Sequence, residues 1–84
     1  MATMQIKVLY FAGMADRLGT SRHTVDLTAG ASVADLLDCL EASHPAIGPY
    51  RSALAVAVNH VYSDPTTKLS DGDEVALIPP VSGG

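Results

Sequence analysis

Between Met4 and Ala12 the chain alternates in a way that suits an extended strand. Ile6, Val8 and Tyr10 fall on one side, Leu9 and Phe11 on the other, and β-branched and aromatic residues dominate. The pattern predicts a strand with apolar residues on both faces. Gly13 ends it, Met14 to Leu18 fits one or two helical turns, and Gly19-Thr20-Ser21 supplies turn residues before a second alternating run, His23 to Leu27. Strand, short connection and strand predict a hairpin-like pair.

The period then changes. Val33, Leu36, Leu37 and Leu40 recur at i, i+3, i+4 and i+7, the stripe of a helix that lays one face on a sheet, with Asp35, Asp38 and Ala42 on the other side. Ser32 is placed to cap the first turn, and Asp35 sits near the positive end of the helix dipole. Pro45 and Gly48-Pro49 stop the helix. A second β-rich half comes next: Leu54 to Tyr62 as one run, turns at Ser63-Asp64-Pro65 and Asp71-Gly72-Asp73, and a last strand from Glu74 to Ile78. Pro79-Pro80 denies further ladder hydrogen bonds and favours an extended stem. The order strand, strand, helix, strand, strand, tail requires one helix to cover one face of one sheet. The expected fold is an α+β roll of the β-grasp (ubiquitin-like) type, with a mixed sheet, one main helix and an extended Gly-Gly tail. Residues 1–84 form one domain in this reading, with 79–84 as its working tail.

Composition narrows the function. A chain of 84 residues buries only roughly 60% of its unfolded surface, so chemistry is expected at its surface or inside a partner. Five Lys+Arg against nine Asp+Glu give a charge of -4, and no basic cluster is present to follow a phosphate backbone, which argues against nucleic acid. Charged or polar residues interrupt every apolar run, which argues against a membrane span. One cysteine, Cys39, excludes an internal disulfide, and the first residues lack the basic and apolar regions of a signal peptide; a cytoplasmic protein is expected.

The end of the chain carries the sharpest signal. Pro79-Pro80-Val81-Ser82 forms a stiff stem leading to Gly83-Gly84. With glycine at ~7% of residues, a chance Gly-Gly ending has a likelihood of about 0.5%. Idle termini are common, so the dipeptide decides little alone; a strand and a proline stem just before it add weight. Glycine backbone passes through a channel too narrow for a Cβ. A carboxylate is inert until its oxygen becomes a leaving group, as in an acyl-adenylate. Sulfur attack on that acyl carbon leads to a thiocarboxylate, and amine attack to an isopeptide bond.

Over nearly its whole length the sequence resembles the small-subunit family of molybdopterin synthase, ubiquitin-like sulfur carriers. The resemblance is strongest from Asp71-Gly72-Asp73-Glu74-Val75-Ala76-Leu77-Ile78 through Pro79-Pro80-Val81-Ser82-Gly83-Gly84, and extends to Ile6 through Ala12 and to Ala57-Val58-Asn59. It implies that Gly84 is adenylated by a ubiquitin-activating-type adenylyltransferase, becomes a thiocarboxylate, and is inserted with Pro80, Val81, Ser82 and Gly83 into a large subunit that holds the catalytic side chains. Two rounds of delivery would convert cyclic pyranopterin monophosphate to the dithiolene of molybdopterin, in an assembly of two small and two large subunits. No cofactor is expected on this chain, and ATP would be used by the activating partner. Ala15-Asp16-Arg17 departs from the Arg-Glu pair usual in the family's short helix. Carriers for thiamin or cysteine synthesis share the fold and ending and stand as the alternative reading; the choice between them rests mainly on the Pro79-Pro80-Val81-Ser82 stem. A protein modifier and a plain interaction module are the competing functions.

Phe11, Tyr62 and Ile78 are expected on the sheet face away from the helix, as an apolar patch for a partner near the root of the tail. Other residues yield ordinary readings. His23, His44 and His60 are scattered without metal-ligand spacing, and no Cys-x-x-Cys accompanies Cys39, so no metal site is expected. Cys39 lies off the apolar stripe with no basic neighbour to activate it. Asp71, Asp73 and Glu74 fit a turn better than a calcium loop.

Overall fold

The computed structural model describes residues 2–10, 19 and 21–78. Five strands make one mixed sheet: β1 (Thr3–Tyr10), β2 (Arg22–Thr28), β3 (Ala55–Val58), β4 (Val61–Tyr62) and β5 (Glu74–Ile78), in spatial order β2-β1-β5-β3-β4. β1 lies antiparallel to β2, with Ile6 opposite Val25 and Val8 opposite His23, and parallel to β5, with Tyr10 beside Leu77. β3 runs antiparallel to β5, Val56 facing Leu77. The predicted hairpin-like pair is therefore β1 and β2, and the whole is the β-grasp roll expected from the order of elements.

Helix α1 (Val33–Ser43) covers one face. Its Val33, Leu36, Leu37 and Leu40 are all buried, and they meet Ile6, Val8, Val75 and Leu77 of the two central strands. Period 3.6 on the helix and period 2 on the strands thus point the same residues into one core. Ser32 starts the helix with a capping box: the Asp35 amide donates to Ser32 Oγ at 3.4 Å, and the Ser32 amide donates to Asp35 Oδ2 at 2.9 Å. The Ser32 hydrogen bonds, led by that backbone amide, hold the Asp35 carboxyl below its ordinary range.

Two expectations are corrected. The run Leu54 to Tyr62 is not one strand but two, β3 and β4, joined by Asn59 and His60 at φ 50° and 72°. A two-residue hairpin turn needs left-handed backbone at both positions, which Asn and His tolerate better than most residues. Asn59 also ties the hairpin to the turn before β5: its Nδ2 donates to Asp73 Oδ1 at 2.9 Å, and its Oδ1 accepts from the Glu74 amide at 3.0 Å. The second correction concerns Pro45 and Gly48-Pro49. They do end α1, but Pro45–Ala53 then winds as a 3-10 segment. That segment seats Ile47 fully in the core and returns Arg51 to the helix, where Nη1 lies 2.6 Å from Asp38 Oδ1 and 3.1 Å from Glu41 Oε1.

Asp71 and Asp73 have the turn-forming role expected of them. Asp71 Oδ1 accepts from the Gln5 amide at 2.7 Å, and Asp73 Oδ2 accepts from the Ser70 amide at 2.7 Å. These bonds fix the approach of the chain into β5, and so the direction of β5 itself. Among the described residues no helix is long and apolar enough to cross a membrane.

Candidate partner-docking face at the root of the tail

The side of the sheet away from α1 is built by strand register. Alternation in β1 turns Lys7 and Leu9 to this side while Ile6, Val8 and Tyr10 enter the core. Ala76 lies beside Leu9, Ala57 beside Ala76, and Tyr62 beside Ala57, so a single row crosses four strands. The two alanines leave a depression between the larger Leu9 and Tyr62. With Ile78, His60 and Glu74 they line a shallow groove of about 210 Å³. β4 is an edge strand of only two residues, and its Tyr62 is 73% exposed.

One border of this groove is charged. Lys7 sits beside Glu74 in the parallel register, and His60 Nε2 lies 3.7 Å from Glu74 Oε1. An apolar floor with polar groups along its rim is the usual build of a protein-binding surface, in which the floor excludes water and the rim sets orientation. The groove is large enough for a side chain and too open to enclose a small substrate.

Of the predicted site residues, Tyr62 and Ile78 share this face. Phe11 lies outside the described residues, as do Pro80, Val81, Ser82, Gly83 and Gly84, and the short-helix segment containing Ala15, Asp16 and Arg17. The strand expected immediately before the tail is β5, which reaches Ile78 and lies between β1 and β3 at the centre of the sheet. Alternation alone places Leu9 on the outer face, whereas the sequence reading misses Ala57, Ala76, His60 and Glu74 as parts of the groove. A signal for the alanines exists in Ala55-Val56-Ala57-Val58 and Val75-Ala76-Leu77: small residues recur at period 2 opposite the larger buried ones.

The histidines are less scattered than their spacing implies. On the helix side of the sheet the Tyr10 hydroxyl is 2.9 Å from His23 Nε2, and the His23 and His44 rings are 5.9 Å apart. Cys39 is half-buried and packs against the core. Among the described residues no three His, Cys, Asp or Glu side chains form a group suited to a metal ion.

Comparison with known proteins agrees with this geometry. The ThiS family model matches residues 8–84. The molybdopterin synthase sulfur carrier subunit of Chlamydomonas reinhardtii is 47% identical over 83 residues, covering 96% of this chain and 100% of that protein. The human protein of the same description is 35% identical over 83 residues, covering 95% of this chain and 94% of that one. Among solved structures, the small archaeal modifier SAMP1 from Haloferax volcanii superposes with a TM-score of 0.85 at 32% identity, over 95% of this chain and 99% of that one. A strand order, a helix stripe and a closing sequence read independently thus lead to one kinship: the chain belongs to the ThiS family, alongside the molybdopterin synthase sulfur carrier subunits.

Proposed function

We propose that this protein is the sulfur carrier subunit of molybdopterin synthase, with Gly84 as the group that is activated, loaded with sulfur and consumed. The observation that carries this reading is the near full-length kinship with sulfur carrier subunits of that enzyme, joined to a Pro79-Pro80-Val81-Ser82-Gly83-Gly84 ending directly after a central strand. The chain acts as a reagent. The Gly84 carboxylate attacks the α-phosphate of ATP held by an adenylyltransferase, and pyrophosphate leaves. A persulfide sulfur from a donor protein then attacks the acyl carbon and displaces AMP. Reduction of the resulting sulfur–sulfur bond by a thiol leaves the thiocarboxylate, a soft nucleophile ready to enter the large subunit.

The groove between Leu9 and Tyr62 supports this division of labour. A shallow apolar groove at the root of the tail lets a partner hold the domain while the stem enters a separate catalytic site, so binding energy is spent on positioning one carbon atom. Activation and transfer require docking on two partners in turn, the adenylyltransferase and the large subunit, in an assembly of two small and two large chains. The work takes place in the cytoplasm, where a lone thiol such as Cys39 stays reduced.

A second reading, a protein modifier, is favoured by the likeness to SAMP1. Both readings share the adenylation step and differ in the nucleophile. Incubating the chain with the activating enzyme, ATP, a sulfur donor, the large subunit and cyclic pyranopterin monophosphate decides between them. Dithiolene formation that requires Gly84 supports the carrier. Conjugates of higher mass that require Gly84, with no dithiolene formed, support the modifier. Function that survives deletion of Gly83-Gly84 contradicts both.

A further inference from the structure

Tyr10, His23 and His44 come from three elements and meet at one end of the helix-facing side of the sheet. Tyr10 is the last residue of β1, His23 is the second of β2, and His44 caps α1 and opens the 3-10 segment. The Tyr10 and His23 rings meet edge to face at 5.3 Å with the hydroxyl 2.9 Å from Nε2, and the His44 ring lies 5.9 Å from that of His23, tilted by 33°. Tyr10 is buried and His23 half-buried. Cys39 of α1 is the other titratable group acting on Tyr10. Among the described residues neither imidazole of this cluster has a carboxylate as an ion-pair partner. The three elements therefore bring together two imidazoles, a phenol and a thiol.

We propose that this cluster is a proton-operated latch: with His23 neutral it clamps the end of β1 to β2 and α1, and protonation of His23 loosens that end of the sheet. A charge on His23 is opposed by two things in the closed arrangement, the loss of water around a half-buried ring and the neighbouring His44. The same two causes, burial first, lower its pKa below the ordinary 6.5. Linkage sets the sign. An opened state, with the ring in water, binds the proton at higher pH than the closed state. The closed state is thus fully favoured above the ordinary imidazole value and loses its advantage as pH falls through His23's lower one. Tyr10 does not titrate in this window: burial, and then Cys39, push its phenol up to about 12.

The position of the latch gives it a consequence. The Tyr10 amide donates to the Ser21 carbonyl at 2.8 Å, and Tyr10 pairs with Leu77, one residue before β5 ends at Ile78. Opening would release β1 beside the strand that leads to the tail, so acidification would act first at the tail-root end of the domain. The inference concerns the free protein and holds whichever partner the tail serves.

Amide hydrogen exchange on the full chain, expressed as protection factors so that the intrinsic pH dependence cancels, tests it without ATP or a partner. From about pH 7.5 to about pH 5, protection at the Tyr10 amide should fall roughly tenfold for each unit by which the His23 pKa is lowered on closing, while amides in the middle of β1 and β5 keep theirs. His44→Gln removes the neighbouring imidazole that lowers the His23 pKa, so it should raise the His23 titration followed by ring proton shifts and shrink the loss. His23→Gln should abolish it. Unchanged protection in the wild type, a uniform loss over the whole sheet, or the same loss in His23→Gln would overturn the proposal. If His23→Gln fails to fold, the wild-type titration decides: His23 protonating at or above its ordinary value would equally overturn it.

Discussion

Tyr62 stands out into solvent because β4 is two residues long and no strand lies beyond it. The residue is 73% exposed, so replacing it should alter folding by no more than about 0.5 kcal/mol. If the groove is a docking site, Tyr62→Asp should weaken binding to the large subunit by about 2 kcal/mol, the loss typical of an aromatic anchor. Calorimetric titration and thermal unfolding of the same variant separate the two effects, and unfolding without a binding defect would contradict the assignment. Asn59 makes the opposite case. It combines a left-handed backbone with side-chain bonds to Asp73 and the Glu74 amide. Asn59→Ala should cost about 1–3 kcal/mol in urea unfolding. Asn59→Gly should retain the turn while losing the bonds, and so fall between the two proteins.

At the scale of elements, α1 obeys local rules. Ser32→Ala removes the cap and should cost about 1 kcal/mol, and Leu36→Ala opens a cavity under the helix and should cost about 2–5 kcal/mol; chemical denaturation measures both. The helix was legible in the sequence because its cap and stripe lie within one short stretch and depend on no distant residue. The β3–β4 hairpin was not, because its turn is Asn59-His60, without the glycine that usually marks such a turn. The 3-10 segment was hidden for a related reason: Pro45 and Pro49 argue against an α-helix but not against a tighter winding. The groove was half legible. Leu9, Tyr62 and Ile78 advertise an outer face by alternation, whereas Ala57, Ala76 and Glu74 join them only through the register of β1, β5 and β3. His23 reads in sequence only as one of three scattered histidines, and nothing local says that His44 will come to lie against it.

Across the whole molecule, the sheet's inner side holds the core and its outer side the apolar groove, so the two can be perturbed separately. Tyr10 belongs to the inner side and predicts how the fold responds to alkali. Its phenol ionises near 10.0 in the unfolded chain and is pushed up to about 12 in the fold, by burial and then Cys39. The stability linked to it is therefore fully present below 10.0 and lost as pH rises through about 12. Tyr10→Phe should flatten that decline in thermal unfolding scans, and an unchanged alkaline profile would show that Tyr10 does not set it. The tail, by contrast, should bear on function without bearing on this stability, because the described core is complete by Leu77. The most direct measurement of the central claim is the intact mass of the protein after incubation with ATP, the activating enzyme and a sulfur donor, beside a version lacking Gly84. The carrier account predicts replacement of one oxygen by sulfur in the full-length chain alone. An unchanged mass, with the activating enzyme shown to load another carrier, would contradict it.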